Sequence, residues 1–379
     1  MTTSSTPQKA TAAGAPSGDL PPYVLTELTH GMRVLSGVQP SGRPHLGNYL
    51  GAIRLFLDLQ ARNQSLIFVA DLHAMTTVRD GAALRRDSLE LALDYLALGM
   101  DPARTTLYRQ SDLPVVTLLA WVLQCVTPAG DLLRCVSYKD KVDKGLAASA
   151  GLLCYPVLQA ADILLQNAEV VPVGADQFQH IELARRTASR FNEAYGEAVF
   201  REPLALVSAT PTVPGLDGQG KMSKSYGNTL PIFAERAQFK ALVAGIPTDS
   251  LPISAPRDPG ACNVFRMLSL LAQPEELAEI EATYRRGGVR HGLLKGRLVD
   301  LLVERFGPAL ERRQMLARRP DDVEDVLIAG AHRASQLARP TLERVFDLVG
   351  LHEGHLGPRP LPAVPVVPSA FSVRQGWGS

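Results

Sequence analysis

Two rhythms of apolar residues alternate along the first two-thirds of this chain. Short β-type runs at 33–38, 65–69, 105–108 and 170–173 are bounded by Gly, Pro or polar residues. Between them, apolar positions recur at helical spacing, notably over 84–98 and 115–125. Strands alternating with helices predict a parallel sheet covered on its faces, a Rossmann-like doubly wound α/β domain. Beyond residue 228 the pattern is helical only, over 274–285, 292–306, 308–317, 321–337 and 339–349, with Gly287-Gly288 and Gly307-Pro308 as punctuation. The expected division is an α/β domain over 25–228 and an all-helical C-terminal domain over 229–352. A Ser/Thr/Ala/Pro-rich segment over 1–24 is expected to be disordered, and 353–379 is a Pro/Gly-rich tail without period. No internal repeat is found.

Composition narrows the class. With 379 residues, 46% hydrophobic and 20% charged, the chain reads as soluble, globular and of two-domain size. No apolar run approaches membrane-spanning length, and the N-terminus lacks the apolar segment of a secretory signal. A net charge of +1 excludes a globally polyanion-seeking protein but leaves room for a local RNA-binding patch; nothing points to DNA or a membrane. Cys125, Cys135, Cys154 and Cys262 show neither C-x-x-C nor metal spacing. Buried free thiols, a reducing cytoplasmic compartment and no structural metal are the expectation.

Chemistry enters at two segments. In RVLSGVQPSGRPHLGNYLGAIRLFLDLQ a strand feeds a tight turn and then a helix opening near Leu46. His45, Gly47 and Asn48 thus reach a helix N-terminus, where unpaired N–H groups and the dipole favour phosphate. Far downstream lies LDGQGKMSKSYGN, in which Lys221 and Lys224 stand three residues apart among glycines and hydroxyls. Such a loop suits clamping a triphosphate. Alone, the first segment is equally read as a mere turn with a surface histidine, and the second reads first as a solvated basic loop.

Three further constellations suggest a small-molecule site. In GLLCYPVLQAADILLQ, Pro156 suits a helix start, and Tyr155, Gln159 and Asp162 follow at i, i+4 and i+7 on one stripe. Asp162 stands among apolar residues, where a carboxylate is rarely left without a donor; it serves either a ligand's N–H or O–H or a neighbouring backbone. In VVPVGADQFQHIELAR, a strand end delivers Gly174, Asp176 and Gln177, where an α/β protein holds a nucleotide. His180, mid-helix among apolar neighbours, reads as a satisfied core histidine. In FVADLHAM, Asp71 and His73 end a strand as cleft residues or helix caps.

His45-Leu46-Gly47-Asn48 and Lys221-Met222-Ser223-Lys224-Ser225 together resemble the paired signatures of class I aminoacyl-tRNA synthetases. With GVQPSG, ADLHA, SAGLLCYPVLQAADILL and the VPVGADQ segment in the same order, the chain is similar from about 34 to 349 to bacterial tryptophanyl-tRNA synthetases. The resemblance implies ATP-binding roles for Gln39, Pro40, Ser41, Gly47, Asn48, Gly174, Ala175, Asp176, Lys221, Met222, Ser223, Lys224 and Ser225, with Val213 packing near adenine. It implies that Asp162 accepts the indole N–H of L-tryptophan, that Tyr155 and Gln177 surround its ammonium and carboxylate, and that Gln159 lines the same pocket. His45, Asn48, Lys141, Lys221 and Lys224 would carry the catalysis, Lys139 and Lys144 being alternatives to Lys141. It further implies ATP with Mg²⁺ as the substrate complex, tRNA(Trp) as partner, and a homodimer. Two residues depart from the family pattern: His45 stands where Thr is frequent, and Gln159 where many bacterial tryptophan enzymes carry Met. Gln three residues before Asp is seen in some tyrosyl-tRNA synthetases, so tyrosine is the alternative amino acid. A non-catalytic paralogue with a regulatory role and a shorter HxGH-type nucleotidyltransferase are the alternatives from other classes.

Overall fold

The computed structural model describes residues 29–135, 145, 148–174, 177–207 and 212–351. Five parallel strands form one sheet: β1 Arg33–Val38, β2 Gln64–Val69, β3 Thr105–Arg109, β4 Val170–Val173 and β5 Leu204–Val207, in the order β3-β2-β1-β4-β5. β5, only four residues after Pro203, escapes sequence reading because so short an apolar run has no measurable period. The chain builds outward from β1 through β2 to β3, then returns to the other side of β1 to lay down β4. The carboxyl ends of β1 and β4 therefore flank the switch point, where α/β sheets hold ligands.

Helix α1 covers residues 46–59 and includes a π-helical turn, Tyr49–Ile53. It is followed by α2 Asp71–Ala74, α3 Gly81–Leu98, α4 Val115–Val126, α5 Ala129–Leu133, α6 Ala150–Leu165 and α7 Phe178–Tyr195. Pro156 does not start α6. That helix begins six residues earlier, because Ser149 caps it by accepting from Leu152 N, and Pro156 lies in its interior.

Past the lysine loop come α8 Arg236–Ala244, α9 Asn263–Leu268, α10 Pro274–Arg286, α11 His291–Ala317 and α12 Pro320–Val349. Two predicted breaks are absent. Gly307-Pro308 sits inside α11, and the runs expected over 321–337 and 339–349 are one continuous helix, α12, with Pro340 inside it. Each proline forfeits one backbone hydrogen bond, but both helices are held by buried side chains on either side, Leu302 and Phe306 with Ala309 in α11, Ala338 with Leu342 and Phe346 in α12.

The apolar core runs across residue 228. Leu46, Ile67 and Leu107 share one cluster with Leu230, Phe306 and Leu327, while Phe68, Leu119 and Val157 share a second with Ala334, Val345 and Phe346. α12 lies directly on β3, where Gly330 meets the strand backbone so closely that an added Cβ would fall 1.7 Å from the Leu107 carbonyl oxygen. Polar contacts bind the same face: Arg333 donates to Pro102 O (2.9 Å), and Gln166 donates to Ala334 O (3.1 Å). Gly330→Ala is therefore expected to push α12 from the sheet and cost about 1–3 kcal/mol, measured as a lowered thermal midpoint; an unchanged midpoint would refute this packing.

Candidate active site

Four strand ends converge on one edge of the sheet. The turn 39–45 leaves β1, α2 leaves β2, a short 3₁₀ turn Gln110–Asp112 leaves β3, and Gly174 leaves β4. Val38 O accepts from Ala70 N at 2.9 Å, which fastens the first two ends to each other.

His45 opens α1 through a reciprocal cap: its Nδ1 accepts from Gly47 N (3.1 Å), and Asn48 Oδ1 accepts from His45 N (3.1 Å). A side chain at Gly47 would lie 2.9 Å from the His45 ring, so the glycine makes room for the imidazole. Burial, aided by the Lys224 ammonium, pushes His45 down to about 4. The ring is neutral at physiological pH, and with Nδ1 accepting, its proton is on Nε2. Gln39, Ser41 and Asn48 are exposed, while Pro40 is buried.

The lysine loop folds back onto this turn. Lys224 Nζ donates to Ser41 O at 2.7 Å. Desolvation lowers the Lys224 ammonium pKa, against the opposing pull of Asp87 and Asp94 on α3. The loop is built as a small paired structure: Pro214 bridges Lys221, Met222 N donates to Val213 O (2.8 Å), and His45 bridges Pro231. Met222 and Val213 are both buried and join the cluster beneath α1. Lys221 and Ser225 are exposed and Ser223 half-buried.

Asn228 organises the loop, and sequence reading missed it. Its Oδ1 accepts from Ser223 N (2.9 Å), while its Nδ2 donates to Asp217 Oδ1 (3.1 Å) and Lys221 O (3.3 Å). A Cβ at Gly215 would sit 2.0 Å from that same amide nitrogen, so the first glycine of the loop serves Asn228. The only hint in the sequence is an Asn directly behind a Gly that adopts φ +64.

A second cluster surrounds Asp162, which is 5% exposed. Its Oδ2 accepts from Gln110 Nε2 (2.8 Å) and from His73 Nε2 (3.1 Å). Burial pushes its carboxyl up, and His73 and Gln110 oppose that rise. Tyr155 meets His73 edge-on, with ring centroids 6.2 Å apart. On its other side, the Tyr155 hydroxyl lies 3.2 Å from His180 Nε2, and His180 Nδ1 lies 2.8 Å from Gln177 Oε1. Donation from Nδ1 to Gln177 leaves Nε2 to accept from the tyrosine.

His180 is thus buried, as its neighbours predict, but both partners are predicted site residues. Asp71 ties α2 to the 3₁₀ turn, accepting from Ser111 N (3.0 Å) and the Ser111 hydroxyl. Gln159 is half-buried one helical turn before Asp162. Gln110, unremarked in the sequence, had no signal beyond its position just after a strand.

The structure therefore brings together two groups: the turn 39–48 with Val213 and residues 221–225, and Tyr155, Asp162 and Gln177. Lys141 with its alternatives Lys139 and Lys144, and Ala175 and Asp176, lie outside the described residues. Among the C-terminal basic residues, Arg285, Arg297, Arg313 and Arg319 pair with carboxylates, and Lys295 and Arg312 donate to backbone carbonyls. Arg290 and Arg318 are exposed, with no carboxylate partner among the described residues.

No group of three or more His, Cys, Asp or Glu among the described residues is arranged to hold a metal ion. No helix among them is long and apolar enough to cross a membrane.

Comparison with known proteins bears on this geometry. Residues 27–307 match the family model of class I tRNA synthetases (W and Y). A tryptophan–tRNA ligase of Rhodopirellula baltica is 47% identical over 84% of this chain and 100% of its own length. One from Campylobacter jejuni is 42% identical over the same share of this chain and all of its own. The crystal structure of the C. jejuni tryptophanyl-tRNA synthetase complexed with ADP and tryptophan superimposes with a TM-score of 0.79, covering 84% of this chain and 100% of that one. A tyrosyl-tRNA synthetase from Archaeoglobus fulgidus, 21% identical with a TM-score of 0.60, shares the fold.

Proposed function

We infer the activity from one premise: this chain belongs to the class I tRNA synthetases of tryptophan and tyrosine. It is a tryptophan–tRNA ligase, which activates L-tryptophan with ATP and transfers it to tRNA(Trp). The observation that carries the chemistry is the contact of Lys224 with the turn after β1, on the same sheet edge as the buried carboxylate Asp162.

The roles of individual residues are our proposal. ATP, brought in as its magnesium complex, lies across the switch point, its adenosine toward Gly174 and its phosphates between the α1 N-terminus and the lysine loop. The amino acid's carboxylate is already a nucleophile at neutral pH and attacks the α-phosphorus, releasing pyrophosphate. Little covalent work is left for the protein, so positioning and electrostatic stabilisation dominate. Lys221 and Lys224 receive charge developing on the leaving pyrophosphate. Neutral His45, with its Nε2 proton, and Asn48 donate from the opposite side. Tyr155, His180 and Gln177 form a relay of fixed polarity beside the amino acid's ammonium and carboxylate, and Asp162 accepts the indole N–H. The acyl group then passes to the 2′-hydroxyl of the terminal adenosine of the tRNA.

Exposed Arg286, Arg290 and Arg318, with no carboxylate partner among the described residues, are C-terminal basic residues left open to tRNA phosphate. Trp121 and Leu118 on α4, with Leu133 on α5, leave aromatic and aliphatic surface uncovered, as a homodimer interface would.

ATP–pyrophosphate exchange measured with each of the twenty amino acids tests the reading. Exchange with tryptophan alone is expected. Exchange with tyrosine alone would replace the substrate, and none with any amino acid would indicate a non-catalytic relative.

A further inference from the structure

Gln110 occupies a position that the chemistry described so far does not use. It is 1% exposed, on the turn behind β3. Both ends of its amide are engaged: Nε2 donates to Asp162 Oδ2 (2.8 Å), and Oε1 accepts from His73 N (3.3 Å). Those two bonds fix which way the amide faces. The turn itself is clamped, with Asp71 holding Ser111 on one side (3.0 Å) and Arg109 pairing with Asp112 (3.0 Å) and with Glu324 of α12 on the other.

The consequence lies in how the two oxygens of Asp162 are used. Both donors, Gln110 Nε2 and His73 Nε2, fall on Oδ2; Oδ1 accepts from no described residue. A ring N–H donates only, whereas a phenol hydroxyl donates and also presents lone pairs that need a donor of their own. His73 Nε2 spends its one N–H on Oδ2, and the two bonds of the Gln110 side chain turn its amide toward Oδ2 as well. A phenol against Oδ1 would leave its lone pairs without either donor, and an unmet polar group in a buried site is costly.

We propose that Gln110 is a positioning residue for amino-acid selection, holding Asp162 with one oxygen occupied and the other presented to a donor-only ring. This rests on the reading that Asp162 faces the side chain of tryptophan. Charged or titratable neighbours of Asp162 besides His73 are Asp71 and Tyr108. Neither donates to the carboxylate in the described structure, so removal of Gln110 leaves His73 as its sole donor.

The test compares full-length wild type with Gln110→Met, using tryptophan and its benzothienyl analogue, in which sulfur replaces the indole N–H. Gln110→Met is expected to raise the KM for tryptophan roughly 10-fold with kcat nearly unchanged, and to cut the preference for N–H over sulfur by the same factor. In an Asp162→Asn background, the same substitution should no longer alter that preference. Gln110→Leu removes the same donor with a different shape and should lose the preference equally; it carries the test if the Met variant does not fold. A preference that survives Gln110→Met or Gln110→Leu, or an effect equally large without Asp162, overturns the proposal alone. A wild-type enzyme that exchanges with tryptophan but does not distinguish the analogue overturns the reading of Asp162, and this proposal with it.

Discussion

Lys224→Ala is expected to lower tryptophan-dependent ATP–pyrophosphate exchange by about 10²–10³-fold, the loss typical of removing one preorganised donor from a developing anion. Tryptophan binding, measured by equilibrium titration without ATP, should change little, because Lys224 has no contact with the Asp162 cluster among the described residues. The reason for so large an effect is where the ammonium rests. It is partly desolvated, which strengthens its attraction for phosphate. It is held by a neutral carbonyl, Ser41 O, rather than by a carboxylate within hydrogen-bonding distance. A triphosphate entering beside the turn needs to displace only that carbonyl. Exchange at the wild-type rate in the variant would remove Lys224 from the proposed chemistry.

Arg313→Met should produce the largest loss of stability. Arg313 reaches from α11 to α3, where its Nε donates to Asp94 Oδ1 at 2.6 Å and its guanidinium also pairs with Glu90. It lies over the Phe233 ring, 5.4 Å from the centroid, and is 7% exposed; Asp94 is 0% exposed. Removing one member of a buried pair leaves the other uncompensated, at a cost of about 3–5 kcal/mol.

The pH dependence has a definite sign. Burial raises the Asp94 carboxyl to about 6 even against Arg313, and its Oδ2 has no partner among the described residues. A carboxyl whose folded pKa exceeds its unfolded one opposes folding when ionised, so stability falls as pH climbs from the ordinary carboxylate range through the raised value. Without Arg313 the folded value moves higher still, and the fall extends to higher pH. Denaturant titration should therefore find a larger deficit in the variant near pH 8 than near pH 5. An equal deficit at both would mean that Asp94 is not the group left stranded.

Sequence reading and structure part company along a physical line. The strand–turn–helix at 33–59 was legible because apolar period, Gly/Pro punctuation and a cap all coincide there. The lysine loop was legible only together with the turn and helix start at 45–48, since two ammonium groups at that spacing are by themselves a solvated basic loop. Asn228, Gln110 and the partners of His180 were not, since each acts through contacts between residues far apart in sequence, and nothing local marks an amide that will end beside a carboxylate. Pro156 and Pro308 misled for a related reason: propensity penalises them locally, while burial on both sides outweighs the one lost bond. The same tertiary term joins the helical segment to the sheet, which a change of period at residue 228 does not reveal.

The seating of α12 on β3 also has a consequence for how this chain comes into being. β3 is an edge strand, and its covering helix spans Pro320–Val349, more than two hundred residues later. On the ribosome, that edge emerges long before its cover, so the nascent sheet passes through an interval with a row of unpaired backbone groups open to neighbouring chains. Folding to the native state waits on a contact of high sequence separation. A gene cut after the lysine loop would encode every residue proposed here to touch ATP or tryptophan, yet its product would keep that edge bare, and it is expected in the insoluble fraction rather than in solution.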